Sequence, residues 1–204
     1  MNTSSAVMQQ RHEPPDGLDD FPTPPWATRA LCERLGHARN PRFMTCREPA
    51  ANRGHMVKPL REYFLHVDAF DIHDYGAGFQ VKDYLADDTT NFVDWTITNP
   101  PFNLAEKFIV RAMRDSIYGV AMFTRVAFLE SVGRYERLFK VMPPQTVLQF
   151  AERVVLHKGK LTPKGSTATA YCWLVWQPNS TQTGTQFDWI APCRKRLEKP
   201  EDYL

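Results

Sequence analysis

Between Leu104 and Asp115 the apolar positions fall at Leu104, Phe108, Ile109 and Ala112, a spacing that draws one stripe along a helix. Shorter helices are expected over Thr28 to Leu35, Val57 to Phe64 and Phe128 to Phe139. Runs of strand length lie between them. Phe43 to Glu48 ends at Pro49, and Val67 to Ile72 carries β-branched and aromatic residues without a breaker. A short third strand is expected to end near Asp83, and Val93 to Thr98 is closed by Asn99-Pro100-Pro101. Ile117 to Thr124, Val147 to Leu156 and Ala170 to Trp176 complete the set. Strands alternating with helices, followed by two late strands, predict a doubly wound α/β sheet, mostly parallel, with an antiparallel pair at one edge.

Composition narrows the class. A chain of 204 residues that is 43% apolar suits one α/β domain, expected over residues 21–204, behind a polar, Pro-containing arm over 1–20. No apolar run reaches the roughly 18–20 residues of a membrane helix. The arm lacks the apolar stretch of a signal peptide, so a cytosolic protein is expected. Cys32, Cys46, Cys172 and Cys193 form no CxxC pair and no ligand-spaced cluster with the six histidines. They read as scattered thiols of a reducing compartment, with no metal expected. Net charge is only +2 but uneven. Met1 to Asn103 holds 10 basic and 14 acidic residues, a net −4, whereas Leu104 to Leu204 holds 15 and 9, a net +6. A basic half beside an acidic one fits a protein that meets phosphates at one end.

Three segments carry candidate chemistry. Glu48-Pro49-Ala50-Ala51-Asn52-Arg53-Gly54-His55-Met56 joins a predicted strand to a predicted helix, where the crevice of an open α/β sheet takes its ligand. Gly54 is the natural point of close approach there, and Asn52 tolerates a left-handed backbone. Asp71 closes the next strand, well placed to accept both hydroxyls of a ribose, and Asp83 follows near the third strand end, within reach of an adenine amine. The sharpest signal is Thr98-Asn99-Pro100-Pro101-Phe102 at the end of an apolar strand. The two prolines remove two backbone donors. What remains is a pair of acceptors, the Asn99 side-chain oxygen and the Pro100 carbonyl, beside an aromatic ring. That combination suits a planar base with an exocyclic amine. Two hydrogen bonds from the amine favour a tetrahedral nitrogen with a free lone pair, and Phe102 stacks on the ring.

On these residues the chain resembles the amino-methyltransferases of DNA, especially the short adenine-specific enzymes of phages and prophages. Asn99-Pro100-Pro101-Phe102 is similar to that family's catalytic tetrad, and Glu48 to Gly54 to its cofactor loop. Phe21-Pro22-Thr23-Pro24-Pro25-Trp26 resembles the segment that holds the methionine end of the cofactor. Arg125 to Phe139, including Phe128-Leu129-Glu130-Ser131, and Tyr171 to Trp176 resemble later segments of the phage-type members. Cofactor loop before tetrad, with the Thr-Pro segment first, resembles the gamma order. The resemblance implies a Rossmann-like class I methyltransferase with a mostly parallel, seven-stranded sheet. It implies S-adenosyl-L-methionine as cofactor, held by Thr23, Pro24, Glu48, Pro49, Ala50, Gly54, Asp71, Asp83 and Tyr84. It implies Asn99, Pro100, Pro101 and Phe102 as the catalytic set and double-stranded DNA as partner, methylated on adenine N6. The chain has Asn52 where the family's loop has glycine. About 100 residues follow the tetrad. Of these only His157 to Thr169, with Lys158, Lys160 and Lys164, is left free to touch DNA.

Four alternatives stand beside this expectation. The same acceptor pair serves an RNA base, cytosine N4 or a protein glutamine amide. An inactive relative that only binds nucleic acid is the remaining one.

Overall fold

The computed structural model describes residues 19–36, 40–86 and 91–203. Up to residue 18, the arm expected over 1–20 lies outside them. The helices are α1 (Pro25–Gly36), α2 (Val57–Tyr63), α3 (Ala105–Asp115), α4 (Val132–Arg134) and α5 (Arg194–Leu197). The strands are β1 (Thr45–Glu48), β2 (His66–Asp71), β3 (Gln80–Val81), β4 (Val93–Thr98), β5 (Ser116–Arg125), β6 (Thr146–Phe150), β7 (Tyr171–Trp176) and β8 (Gln186–Ile190). They form one sheet in the order β3-β2-β1-β4-β5-β7-β6-β8. All neighbours are parallel except β7, which runs antiparallel to both β5 and β6.

The period-two pattern of β5 and β7 divides the core into two layers. Ala121, Phe123, Tyr171, Trp173 and Val175 face the layer that also holds Trp26 and Leu31 of α1 and Leu60 of α2. Val120, Met122, Cys172, Leu174 and Trp176 face the layer of Phe108, Ile109 and Ala112 from α3. The stripe read from the sequence is therefore the face that α3 buries. Both central strands are covered on two sides, which explains why they read as continuous apolar runs. Two indole donors are satisfied at depth: Trp173 Nε1 donates to the Ala27 carbonyl at 3.1 Å and Trp176 Nε1 to the Met142 carbonyl at 3.0 Å. Arg29, 3% exposed, fastens α1 to the C-terminal segment through Asp202 and to α2 through Glu62.

Three features depart from the pattern reading. The sheet has eight strands where seven were expected. The extra one, β8, has Phe187 and Trp189 exposed at an edge, so no buried alternation announces it. The strand expected over Val147 to Leu156 ends at Phe150, where Ala151 N–H turns to the Ile190 carbonyl. The helix expected over Phe128 to Phe139 is broken. A 3₁₀ turn covers Val126–Leu129, Ser131 caps a new start by accepting the Arg134 N–H at 3.3 Å, and a π turn follows at Tyr135–Phe139. A serine that offers its own acceptor to the backbone competes with a continuing helix.

Candidate functional site

The carboxyl ends of β1, β2 and β4 open into a crevice lined by Phe21, Thr23, Pro49, Ala50, Asn52, Asp71, Asp83, Tyr84 and Asn99, among others. A crevice at the carboxyl ends of the strands is the usual setting for a small ligand in this kind of sheet.

Its loops are held by local hydrogen bonds. Asn52 has φ 50°, the one non-glycine residue at positive φ among the described residues, as its side chain permits. Asp71, 8% exposed, accepts the Asn52 N–H with one carboxylate oxygen and the His73 N–H with the other, each at 2.9 Å. Asn52 Nδ2 in turn donates to Asp20 at 2.8 Å, and Arg53 pairs with the same carboxylate at 2.9 Å. Asp19 and Asp20, assigned to the arm on sequence, are thus built into the site. Asp19 also accepts the Phe102 N–H at 2.6 Å.

Several expected cofactor residues line the crevice: Thr23, Pro49, Ala50, Asp71, Asp83 and Tyr84. Thr23 is buried and its hydroxyl has no partner. Asp83 is exposed and accepts the Leu85 N–H at 2.8 Å. Tyr84 is buried between Phe70 and Phe108. Three others stand behind the wall. Pro24 is buried, and its carbonyl accepts the Ala27 N–H at the start of α1. Gly54, at φ +85°, faces Phe79, whose ring would lie 2.9 Å from an added Cβ, so the close approach here is to an aromatic side chain of the chain itself.

Glu48 is the third, wholly buried beneath its loop. One oxygen accepts the Ala50 N–H at 3.0 Å and the other is unpartnered. Burial pushes its carboxyl up to about 8. The folded state therefore keeps a proton that the unfolded chain sheds near 4.5, and stability falls as pH rises through that window. Glu48→Gln mimics the protonated form. It should flatten the dependence of the urea midpoint on pH between about 4.5 and 8 and be the more stable protein at pH 8. A variant that keeps the parent's slope would place the titration elsewhere.

Sequence reasoning passed over His55. It lines the crevice with an unpartnered Nδ1, and burial lowers its pKa, which favours the neutral ring. Nothing in its spacing marked it.

The tetrad divides this crevice from a second cavity of about 530 Å³. Asn99 and Pro101 line the first, and Pro100 and Phe102 line the second with Arg125, Phe128 and Arg134. Asn99 Nδ2 donates to the Phe21 carbonyl at 3.0 Å. A carbonyl only accepts, so this bond orients the amide and leaves Oδ1 as an unpartnered, buried acceptor. Phe102 does not present an open face to its cavity, because the Arg125 guanidinium carbon lies 3.9 Å from the ring centroid.

The two cavities carry opposite charge. Among the described residues, Asp19, Asp71 and Asp83 line the first with no Lys or Arg side chain, and Arg125 and Arg134 line the second with no acid. One suits a cationic ligand and the other an anionic one. Lys158, Lys160 and Lys164 are exposed, and their loop is tied to the crevice rim by Gly159 N–H donating to the Asp20 carbonyl at 2.8 Å. Among the described residues no cluster of His, Cys, Asp and Glu is placed to hold a metal, and no helix is long and apolar enough to cross a membrane.

No family model and no curated protein matches the sequence. Solved structures do resemble the fold. A candidate RNA methyltransferase from Pyrococcus horikoshii has a TM-score of 0.60 at 13% identity, over 81% of this chain and 91% of that one. The modification subunit of a candidate type I restriction enzyme from Vibrio vulnificus gives 0.57 at 13%, over 90% of this chain and 50% of the subunit. The 23S rRNA methyltransferase ErmE gives 0.50 at 13%, over 78% and 70%. At such identities the likeness is one of fold. Together with the strand order and the crevice at the strand ends, it shows a Rossmann-like α/β fold of the kind those methyltransferases have.

Proposed function

We propose that this chain is a cytoplasmic, S-adenosyl-L-methionine-dependent DNA methyltransferase of the phage or prophage type, acting on N6 of adenine. The observation that carries the reading is Asn99 Oδ1: an oriented, buried acceptor, without a hydrogen-bond partner among the described residues, on the wall of the crevice lined by acids, with Pro100 and Phe102 next in the chain lining the cavity that holds the arginines.

The first cavity fits the cofactor. Asp71 and Asp83 on its wall answer a sulfonium and an ammonium charge. Asp71 has acceptor capacity left for ribose hydroxyls, since an ionised carboxylate offers about four lone-pair sites and two are used. The Thr23 hydroxyl and His55 Nδ1 are polar atoms in want of a partner. Bound there, the cofactor supplies an electrophilic methyl group.

The chain's own residues do the rest. A stacked base cannot reach a crevice, so the target leaves the duplex. Asn99 Oδ1 and the Pro100 carbonyl accept the two amine protons and free the nitrogen lone pair for direct attack. Among the described residues neither cavity is lined by Cys or Ser, which fits transfer without a covalent enzyme–base bond. Asn99 is too weak a base to remove a proton first, so the proton leaves after the nitrogen has become cationic. Lys158, Lys160 and Lys164 supply phosphate contacts beside the rim.

The test is methyl transfer from radiolabelled cofactor to DNA, RNA and protein, with the product resolved after digestion. Label in N6-methyladenine from DNA is expected. RNA is the second substrate to try, because two proteins of this fold are described as RNA methyltransferases. Label in N4-methylcytosine or glutamine would reassign the substrate, and no label in any arm would leave a binding protein.

A further inference from the structure

We propose that Arg125 is a phosphate-binding residue of the cavity beyond the tetrad, and that its guanidinium holds the Phe102 face until a target base displaces it. This rests on the reading of the chain as a base methyltransferase, and it names the anionic part of that site's substrate.

Arg125 closes β5 at the same edge of the sheet where the tetrad closes β4. Its guanidinium carbon stands over Phe102, 3.9 Å from the ring centroid. Its Nε is buried and donates to nothing, and no carboxylate pairs with it among the described residues. Arg134, in the same cavity, is a useful contrast. Its Nε likewise makes no hydrogen bond, but its guanidinium stands 4.0 Å from the Phe128 centroid, donates to the Phe128 carbonyl at 2.5 Å and lies 3.4 Å from the Glu106 carboxylate. The charge of Arg134 is answered by the protein, and that of Arg125 is not.

A half-buried guanidinium with an idle donor and no counter-ion is an unfavourable arrangement unless a ligand completes it. The cavity says which ligand. Among the described residues it has aromatic walls in Phe102 and Phe128, two arginines and no acid, which suits a nucleotide: a planar ring joined to a phosphate. An aromatic face binds a guanidinium or a base, but not both at once. Arg125 therefore has to leave Phe102 when the base arrives. The phosphate next to that base enters with it, and the planar fork of arginine matches its oxygens in pairs. One side chain thus keeps the stacking face covered in the empty site and pairs with the backbone in the filled one.

The experiment is a cycle between side chain and phosphate. Single-turnover methylation is measured on oligonucleotides with one adenine, the phosphates flanking it being native or replaced by neutral methylphosphonate. A third oligonucleotide carries the replacement several nucleotides away. For the parent, neutralising the flanking phosphate should raise the half-saturating concentration by about ten-fold, as for loss of a hydrogen bond to a charged group. The distant replacement should not. Arg125→Ala and Arg125→Gln should bind the native oligonucleotide as weakly as the parent binds the neutral one, and should not respond to the flanking replacement. Either variant suffices if the other does not fold. Variants that lose as much as the parent on neutralisation overturn the assignment of Arg125 while the methyltransferase reading stands. A parent that methylates none of the oligonucleotides removes that reading, and this assignment with it.

Discussion

Asn99→Ala should slow single-turnover methyl transfer to adenine by about 10²–10³-fold, the usual cost of deleting one preorganised hydrogen-bonding group from a transition state. Phe21 fixes the amide. Its carbonyl takes the Asn99 amide N–H at 3.0 Å, and that bond leaves Oδ1 buried beside the crevice with no hydrogen-bond partner among the described residues. In the ground state the target amine is flat and weakly nucleophilic. The acceptor gains value only as the nitrogen becomes tetrahedral, so its loss falls on turnover and not on cofactor affinity. The substitution also strands the Phe21 carbonyl, at about 1–3 kcal/mol of stability, and the assay belongs well below the variant's melting temperature. Transfer as fast as the parent's, with cofactor saturating, would show that the tetrad is not the catalytic centre.

How much of this was legible follows from which residues signal locally. The tetrad is contiguous, sits at the end of an apolar strand and contains two prolines, so Asn99 to Phe102 could be read without neighbours. Asp71 was legible for the same reason, as an acid at a strand end. The Asn52 backbone was legible because only a few residue types adopt positive φ at low cost. What the pattern could not give is contact across the chain. Asp19 and Asp20 looked like the end of a polar arm, yet they hold Phe102, Asn52 and Arg53 from more than 30 positions away. Glu48 and Gly54 sit in the expected loop, but which side of a wall a residue occupies is a tertiary fact.

The uneven charge of the two halves acquires a spatial meaning in the structure. The acids of the crevice, Asp19, Asp71 and Asp83, all precede the tetrad, and the arginines of the second cavity, Arg125 and Arg134, all follow it. In a sheet ordered β3-β2-β1-β4-β5, the strands before and after β4 lie on opposite sides of it. A charge asymmetry along the sequence thus becomes one across the tetrad, which ends β4. The second cavity was less legible, because Phe128 and Arg134 lie where an unbroken helix was expected. The break at Ser131 sets them on separate turns that meet as Arg134 stacks on Phe128.

Asp71→Ala should weaken cofactor binding by two to three orders of magnitude while changing turnover at saturating cofactor far less. Two contributions add. Each ribose hydroxyl given to a charged acceptor is worth roughly 1.5–3 kcal/mol. The same carboxylate also fixes the loop, taking the N–H of Asn52 with one oxygen and that of His73 with the other. Alanine leaves both donors without a partner and releases Asn52 from the one conformation, φ 50°, that lets its side chain reach Asp20. Asp71→Asn is not the mild control it would be elsewhere. An amide has a single oxygen for two N–H groups, and its own NH₂ would face the second donor, so the loop should loosen in that variant too. A cofactor analogue without ribose hydroxyls separates the contributions. The parent should bind it more weakly than the natural cofactor, and Asp71→Ala should bind the two alike. Calorimetric titration showing unchanged affinity for the natural cofactor in Asp71→Ala would sink the assignment. A variant that still discriminates the analogue as the parent does would leave Asp71 a loop latch and move the ribose contact to another residue of the crevice.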